Sequence, residues 1–327
     1  MTFSRRSLLS CVISCFAASK VVNAAPGSWP NRPIKIIVGF PVGGQADVYA
    51  RMYGEFIGLE TGVPVVIENK SGALGSIAAT EVKLAQPDGY TLLFNTSGAL
   101  SVNRVLIKDL GYDASRDFEL VAAMPTGGLP LVVSTKSAAT NLAGFVEFAR
   151  SADRVALGTI GVGSPPHLMI LALNKQYGLN IDPVHYRGEA PMWNDVVANI
   201  IDGGIGTIVG AMPVLEAGKG TAIAVPRKRL ISIPDVKTFS EQGANAALFN
   251  LLTYFCFAVP AGTPAAVTER LSDLVIRAGQ SAKVKSVLAT YGIEEGPMSI
   301  ELTRELYARE SPVWIDLAQE AVSPRRQ

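Results

Sequence analysis

From Ile34 the chain alternates short apolar runs with stretches whose apolar residues recur at helical spacing, and glycine or proline marks most boundaries. Ile34 to Phe40 reads as a buried strand, broken by Pro41-Val42-Gly43-Gly44. Asp47 to Gly62 then carries Val48, Met52, Phe56 and Leu59 at helical intervals. A strand from Val63 to Glu68 follows, then a helix near Ser76 to Ala85, a Pro87-Asp88-Gly89 turn and a strand from Tyr90 to Asn95. Strand-helix-strand crossovers of this kind are right-handed and build a parallel sheet with helices on its faces.

The pattern then starts again. Glu119 to Met124 and Leu129 to Ser134 are apolar runs separated by Pro125-Thr126-Gly127-Gly128, the expected passage from one lobe to a second. A helix from Asn141 to Arg150 precedes a strand from Val155 to Ile160, a glycine loop and a helix from Pro165 to Tyr177. Next come a strand from Pro183 to Tyr186, a helix through Ile201, a strand from Ile205 to Val209, a helix ending at Gly218 and a strand from Thr221 to Val225. Leu251 to Val259 is a strong strand that returns to the first lobe, followed by helical segments from Ala265 to Tyr291 and from Ile300 to Ala321. The expected division is a leader over 1–24, one lobe from 25–125 plus 250–327, and a second over 126–249. Two crossings between lobes make a hinge.

The leader rests on Arg5-Arg6, the mostly apolar run Ser7 to Ser19, and Val22-Asn23-Ala24 before Ala25-Pro26. The run is too short to span a bilayer and reads as a secretory signal, of Sec type or, through Arg5-Arg6, of twin-arginine type. Cys15 after Val12-Ile13-Ser14 leaves a lipoprotein signal as another reading. Its removal takes Arg5, Arg6 and Lys20 and no acid, which turns the formal charge from +1 to −2. No Lys/Arg-rich block remains, so a nucleic-acid partner is not expected. Of three cysteines only Cys256 stays, in a strand-like run, so the core must stabilise the fold without an internal disulfide. A soluble periplasmic or secreted monomer is expected.

Parallel sheets bind ligands beyond the carboxyl ends of their strands, where helix N-termini offer free N–H groups. Four loops qualify: Phe40 to Asp47, Asn95 to Gly98, Gly161 to His167 and Tyr186 to Glu189. Gly39 to Gly44 lacks both the phosphate-loop ending and the dinucleotide spacing. Asp47 reads as a helix-start residue or a ligand contact. Ser164 and Pro165 fit an N-cap and first helical position, and Ser164 with His167 also reads as a pair of ligand donors. No nucleophile elbow or orienting acid accompanies them, which leaves a secreted hydrolase as a remote alternative. His185 is expected to be a packed strand residue. Two histidines and one remaining thiol give a His/Cys metal site almost nothing to use, and no cofactor is expected. Arg187 is the only cation in the four loops, and a guanidinium holds a carboxylate through two parallel hydrogen bonds. Trp193 reads as an apolar wall or as core, and Asp202 as a ligand contact or a backbone cap.

Several segments together resemble the Bug-type periplasmic solute-binding proteins of tripartite tricarboxylate transporters, from about Trp29 to Trp314. They are Trp29-Pro30-Asn31-Arg32-Pro33-Ile34, Phe40 to Gly44 with Asp47, Val66 to Gly72, Pro87 to Leu93, Gly161 to His167, Tyr186-Arg187-Gly188, Ala217-Gly218-Lys219 and Val259 to Pro264. The resemblance implies an α/β, two-lobed, type II-like periplasmic binding protein, each lobe a mixed, largely parallel sheet flanked by helices. It implies closure on a small carboxylate and delivery to membrane permease subunits; presentation of the ligand to a sensor kinase is an alternative. It also implies ligand contacts from Phe40, Pro41, Gly43, Gly44 and Asp47, from Thr96 and Ser97, from Gly163, Ser164, Pro165 and His167, from Tyr186, Arg187 and Gly188, and from Asp202. Three departures stand out: Arg187 where the family usually has lysine, two prolines before His167, and Gly206-Thr207 where an Asp-Asn pair is common.

Overall fold

The computed structural model describes residues 29–322. The expected leader, with Arg5, Arg6, Cys11 and Cys15, lies outside the described residues. In chain order, β1 (Ile34–Val38), α1 (Gln45–Thr61), β2 (Val65–Asn69), α2 (Ser76–Lys83), β3 (Thr91–Thr96), α3 (Ser97–Ser101), α4 (Asn103–Leu106), α5 (Ala114–Asp117) and β4 (Phe118–Pro125) come first. After the first crossing come β5 (Leu131–Ser134), α6 (Leu142–Ser151), β6 (Val155–Thr159), α7 (Pro165–Tyr177), β7 (Ile181–His185), α8 (Glu189–Val197), β8 (Gly203–Ile205), α9 (Ile208–Glu216) and β9 (Gly220–Ala224). The chain ends with β10 (Tyr254–Pro260), α10 (Ala265–Gln280), α11 (Ala282–Thr290) and α12 (Ile300–Val322).

Two five-stranded sheets result, ordered β2-β1-β3-β10-β4 and β7-β6-β8-β5-β9. In the first, β1 runs parallel to β2 and β3 while β10 is antiparallel to β3 and β4. In the second, β6 runs parallel to β7 and β8 while β5 is antiparallel to β8 and β9. The antiparallel strand of each sheet is therefore the one the chain forms immediately after crossing over.

Side-chain periodicity explains the layers. Ile34, Ile36, Ile37 and Val38 of β1 are all buried because helices cover both faces of the strand. Tyr49, Tyr53 and Ile57 of α1 meet Phe94, Phe257 and Leu271 on one face of that sheet; Ala78, Val82, Leu93, Cys256 and Leu306 pack on the other. In the second sheet, Phe145, Leu157, Ile170 and Leu173 lie on one face and Met192, Trp193, Val196 and Val214 on the other. Cys256 is 1% exposed, and burial pushes its thiol up to about 12, which makes it a packing residue.

The two crossings lie side by side. Thr126 N donates to Thr253 O (3.1 Å), and the two threonine hydroxyls share a hydrogen bond of 2.6 Å. A third link is α12. Its Leu306 belongs to a core cluster of the first lobe, whereas Trp314 and Ala318 are buried in the core of the second. α12 thus packs into both lobes. Between these two halves, buried Glu310 accepts a hydrogen bond from Leu252 N (2.9 Å), and Pro312 interrupts the helix's own hydrogen bonding.

One predicted strand is corrected. The strand ends at Ile205, and Ile208 and Val209 open α9, because Thr207 accepts a hydrogen bond from Gly210 N and caps a helix there. A short apolar run does not by itself distinguish a buried strand from a buried helix start. The first lobe's aromatic core yields a direct test. Phe257 is fully buried, with the ring of Phe94 at 4.6 Å and that of Tyr53 at 6.0 Å. Phe257→Ala is expected to cost about 3–5 kcal/mol in denaturant unfolding; a loss below ~1 kcal/mol would contradict this account of the core.

Candidate functional site between the lobes

The carboxyl ends of β1, β3, β6, β7 and β8 lead into loops that meet across one cleft, whose cavity measures about 1150 Å³. Phe40, Pro41, Gly43 and Gly44 line it from the β1–α1 loop, and Thr96 and Ser97 from the end of β3. From the second lobe come Gly163, Ser164 and Pro165, then Arg187 and Gly188; Thr126 and Thr253 of the crossings close its floor. Gly163 has φ +72°, and a Cβ there would lie 1.9 Å from Leu106 Cδ1 of α4, so the opposing lobes come this close only with glycine in place.

Behind this lining, other expected site residues hold the loops. Asp47 is buried and accepts hydrogen bonds from Gly43 N (2.9 Å), Arg51 Nε (3.0 Å) and Asn69 Nδ2 (3.0 Å). Burial alone would raise its pKa, but these donors outweigh it and hold the carboxyl below its ordinary value. Asn69 Nδ2 also donates to Phe40 O (3.0 Å), so the whole β1–α1 loop is anchored from below. Gln45, at the first position of α1, donates to Thr126 O (2.8 Å) and ties this loop to the crossing.

In the second lobe, Ser164 caps α7: its Oγ accepts from His167 N (3.4 Å) and donates to Gly161 O (2.7 Å). His167 is buried, and its Nδ1 accepts from Gly163 N (2.9 Å). Ser164 and His167 therefore each serve a backbone group and do not form a nucleophile and base. His185 is exposed at the edge strand β7, contrary to the packed position expected, and its ring meets that of His167 edge-on at 4.8 Å. Tyr186 donates to Asp195 Oδ2 (2.6 Å) and lies outside the lining; burial, with Asp195 beside it, pushes its phenol up to about 12.

Asp202 is not brought to the cleft. It opens β8 at the opposite end of the sheet, where Oδ2 accepts from Ala156 N (2.8 Å) and Oδ1 pairs with Lys136 (2.8 Å). Because β8 runs parallel to β6, a residue preceding the strand falls at the amino end, away from the ligand-facing loops.

Several lining residues went unsingled in the sequence. Glu189 is the only acidic residue in the lining; it accepts from Thr207 N (2.8 Å) and Thr207 Oγ1 (2.7 Å) and so covers the start of α9. A Cβ on Gly210 would lie 2.1 Å from Glu189 Oε2 and 2.8 Å from Trp193 Nε1, which shows how tightly this corner is filled. Trp193 is buried and lines the cavity, and so serves as wall and core together. Leu74, Val102, Leu106, Val197 and Val209 add apolar wall. Glu189 sits two residues after Arg187 and was visible in the same loop; nothing in the sequence signalled Leu74.

Arg187 is exposed and is the only Lys or Arg in the lining, and no hydrogen bond or ion pair engages it among the described residues. Residues 50–321 match the Tripartite tricarboxylate transporter family receptor. The chain belongs to this family. BugT of Bordetella pertussis is 29% identical over 320 residues, covering 95% of this chain and 97% of BugT. A Rhodopseudomonas palustris protein solved with adipate superposes with a TM-score of 0.79 at 29% identity, covering 90% of this chain and 98% of its own. MatC of Rhodopseudomonas palustris, solved with malate, gives 0.74 at 27% identity, covering 88% and 99%. The two-lobed architecture of this Bug-type receptor is that of periplasmic binding proteins.

His167 gives the receptor a pH signature. Burial, and to a lesser degree His185, push it down to about 4. Between an ordinary value of ~6.5 and that lower one, the unfolded chain takes up a proton that the folded protein refuses. Stability fully present above ~6.5 is then lost as pH falls through this window. His167→Gln is expected to flatten the fall in unfolding free energy between those limits. A variant whose pH slope there matches the parent's would contradict the assignment.

Proposed function

We propose that this receptor captures a small carboxylate between its lobes in the periplasm and hands it to the membrane permease of a tripartite tricarboxylate-type transporter. The observation that carries this reading is Arg187, a guanidinium lining the cleft just before α8, with no hydrogen-bond or ion-pair partner among the described residues. A planar fork of donors in that setting matches the two oxygens of a carboxylate. The relatives solved with adipate and malate support the ligand class. The engaged hydroxyl of Ser164 and the engaged Nδ1 of His167 support binding without turnover.

In this reading the ligand bridges two lobes joined at Thr126 and Thr253, and closure is favoured only by the ligand's preference for the closed arrangement. Gln45 gives the ligand-facing end of α1 a direct bond to the hinge, so the first-lobe loop and the crossing move together.

Calorimetric titration against a panel of carboxylic acids tests the proposal. Arg187→Ala is expected to weaken binding by about 10- to 150-fold, the equivalent of about 1.5–3 kcal/mol for hydrogen bonds to a charged group. Its thermal unfolding should match the parent's, because Arg187 has no partner to lose among the described residues. Arg187→Lys should recover part of the affinity. Equal affinity of parent and Arg187→Ala for every acid bound would remove Arg187 from the site.

A further inference from the structure

We infer that the preferred ligand carries a single carboxylate on a bulky apolar body, such as a medium-chain, alicyclic or aromatic monocarboxylic acid. The inference rests on the carboxylate reading above and narrows it. It follows from what this cleft withholds from a second anion and from what it offers to hydrocarbon.

The second lobe has three helix starts at the cleft, and two of them are closed to anions. At α7, Pro165 and Pro166 carry no N–H, and the His167 N–H is already given to Ser164. At α9, the Glu189 carboxylate takes the Thr207 N–H and hydroxyl, the place where an anionic ligand group would sit. A second ligand carboxylate would there meet a like charge as well as spent donors. At α8, which adjoins Arg187, Glu189 opens the first turn and Pro191 brings no N–H, so the positive charge there is that of Arg187. In the first lobe, α1 has no side-chain cap, and the buried carboxylate of Asp47, which takes the Gly43 N–H, puts a like charge within its first turn. Arg187 is the single cation of the lining, and one cation makes one charged anion subsite.

Much of the remaining wall is apolar, and Leu74 is held in it by the backbone. Leu74 is 41% exposed yet faces the cleft from a left-handed backbone, with φ +44° at Ala73 and +53° at Leu74. Non-glycine residues adopt that conformation at a cost, and strain of this kind persists only where surrounding bonds enforce it. Here Asn103 Nδ2 donates to Leu74 O (3.0 Å) and Asn95 Nδ2 to Gly75 O (2.9 Å), both from buried asparagines. Across the cavity, Val197 is 38% and Val209 36% exposed, and the indole of Trp193 lies between their helices. Partly exposed aliphatic side chains gathered around one cavity are the surface that an apolar ligand body would remove from water.

The test pairs hexanoate with adipate, which share a six-carbon chain and differ by one carboxylate, and adds cyclohexanecarboxylate, benzoate, 3-phenylpropanoate and malate. Calorimetry on the full receptor is expected to rank the monocarboxylates first, with hexanoate at least about tenfold tighter than adipate, the factor that ~1.4 kcal/mol represents. Leu74→Asn is the matched variant, because asparagine accepts the left-handed backbone better than leucine while removing the hydrocarbon. It should keep the parent's melting temperature and weaken the monocarboxylates by at least about fivefold, less than the full burial of a leucine. Adipate or malate binding more tightly than hexanoate would overturn this inference and leave the carboxylate reading standing. Unchanged monocarboxylate affinity in Leu74→Asn would equally overturn it. Absence of binding by every acid in the panel would overturn both.

Discussion

The structure depends on a seam of two threonines. Thr126 and Thr253 lie against each other where the chain leaves the first sheet and where it comes back, joined through backbone and hydroxyl. Because the crossings are paired, each sheet receives its antiparallel strand from the other lobe's side of the chain: β5 follows β4, and β10 follows β9. The carboxyl ends of both parallel strand sets then face one gap.

Recognition in this gap is local. A formal charge of +1 over 327 residues, or −2 without the expected leader, gives no long-range field to speak of, and Arg187 is the one cation that lines the gap. The neighbouring polar residues are mostly spent on the protein itself. Asp47 holds its own loop, Glu189 covers α9, and Ser164 and His167 tie off the start of α7. These bonds fix where the loops and the apolar walls stand, which is preorganisation of the cleft.

Strands, helices and the two passages between lobes were legible because burial imposes a period of two or of about 3.6 on the side chains, and because glycine and proline punctuate the elements. The loops around Phe40, Thr96, Ser164 and Arg187 were legible for the same reason: they follow parallel strands. Asp202 misled because its place depends on which end of β8 it occupies, and β8 is only three residues long. Ile205 to Val209 misled because Thr207 interrupts an apolar run that has no periodicity of its own. Leu74 was invisible, since its position comes from a backbone held in place by Asn95 and Asn103, which lie twenty or more residues away. The double role of α12 was equally hidden: Leu306 and Trp314 share one helix pattern but complete different cores.

That helix has a consequence for the order of events at birth. The cores of both lobes stay unfinished until the last stretch of chain is available, because Leu306 fills one and Trp314 with Ala318 fills the other. Synthesis delivers the strands of both sheets before α12, so neither core is complete until that helix has formed. A chain cut before α12 would leave apolar surface open on both lobes at once, two places for a protease to start.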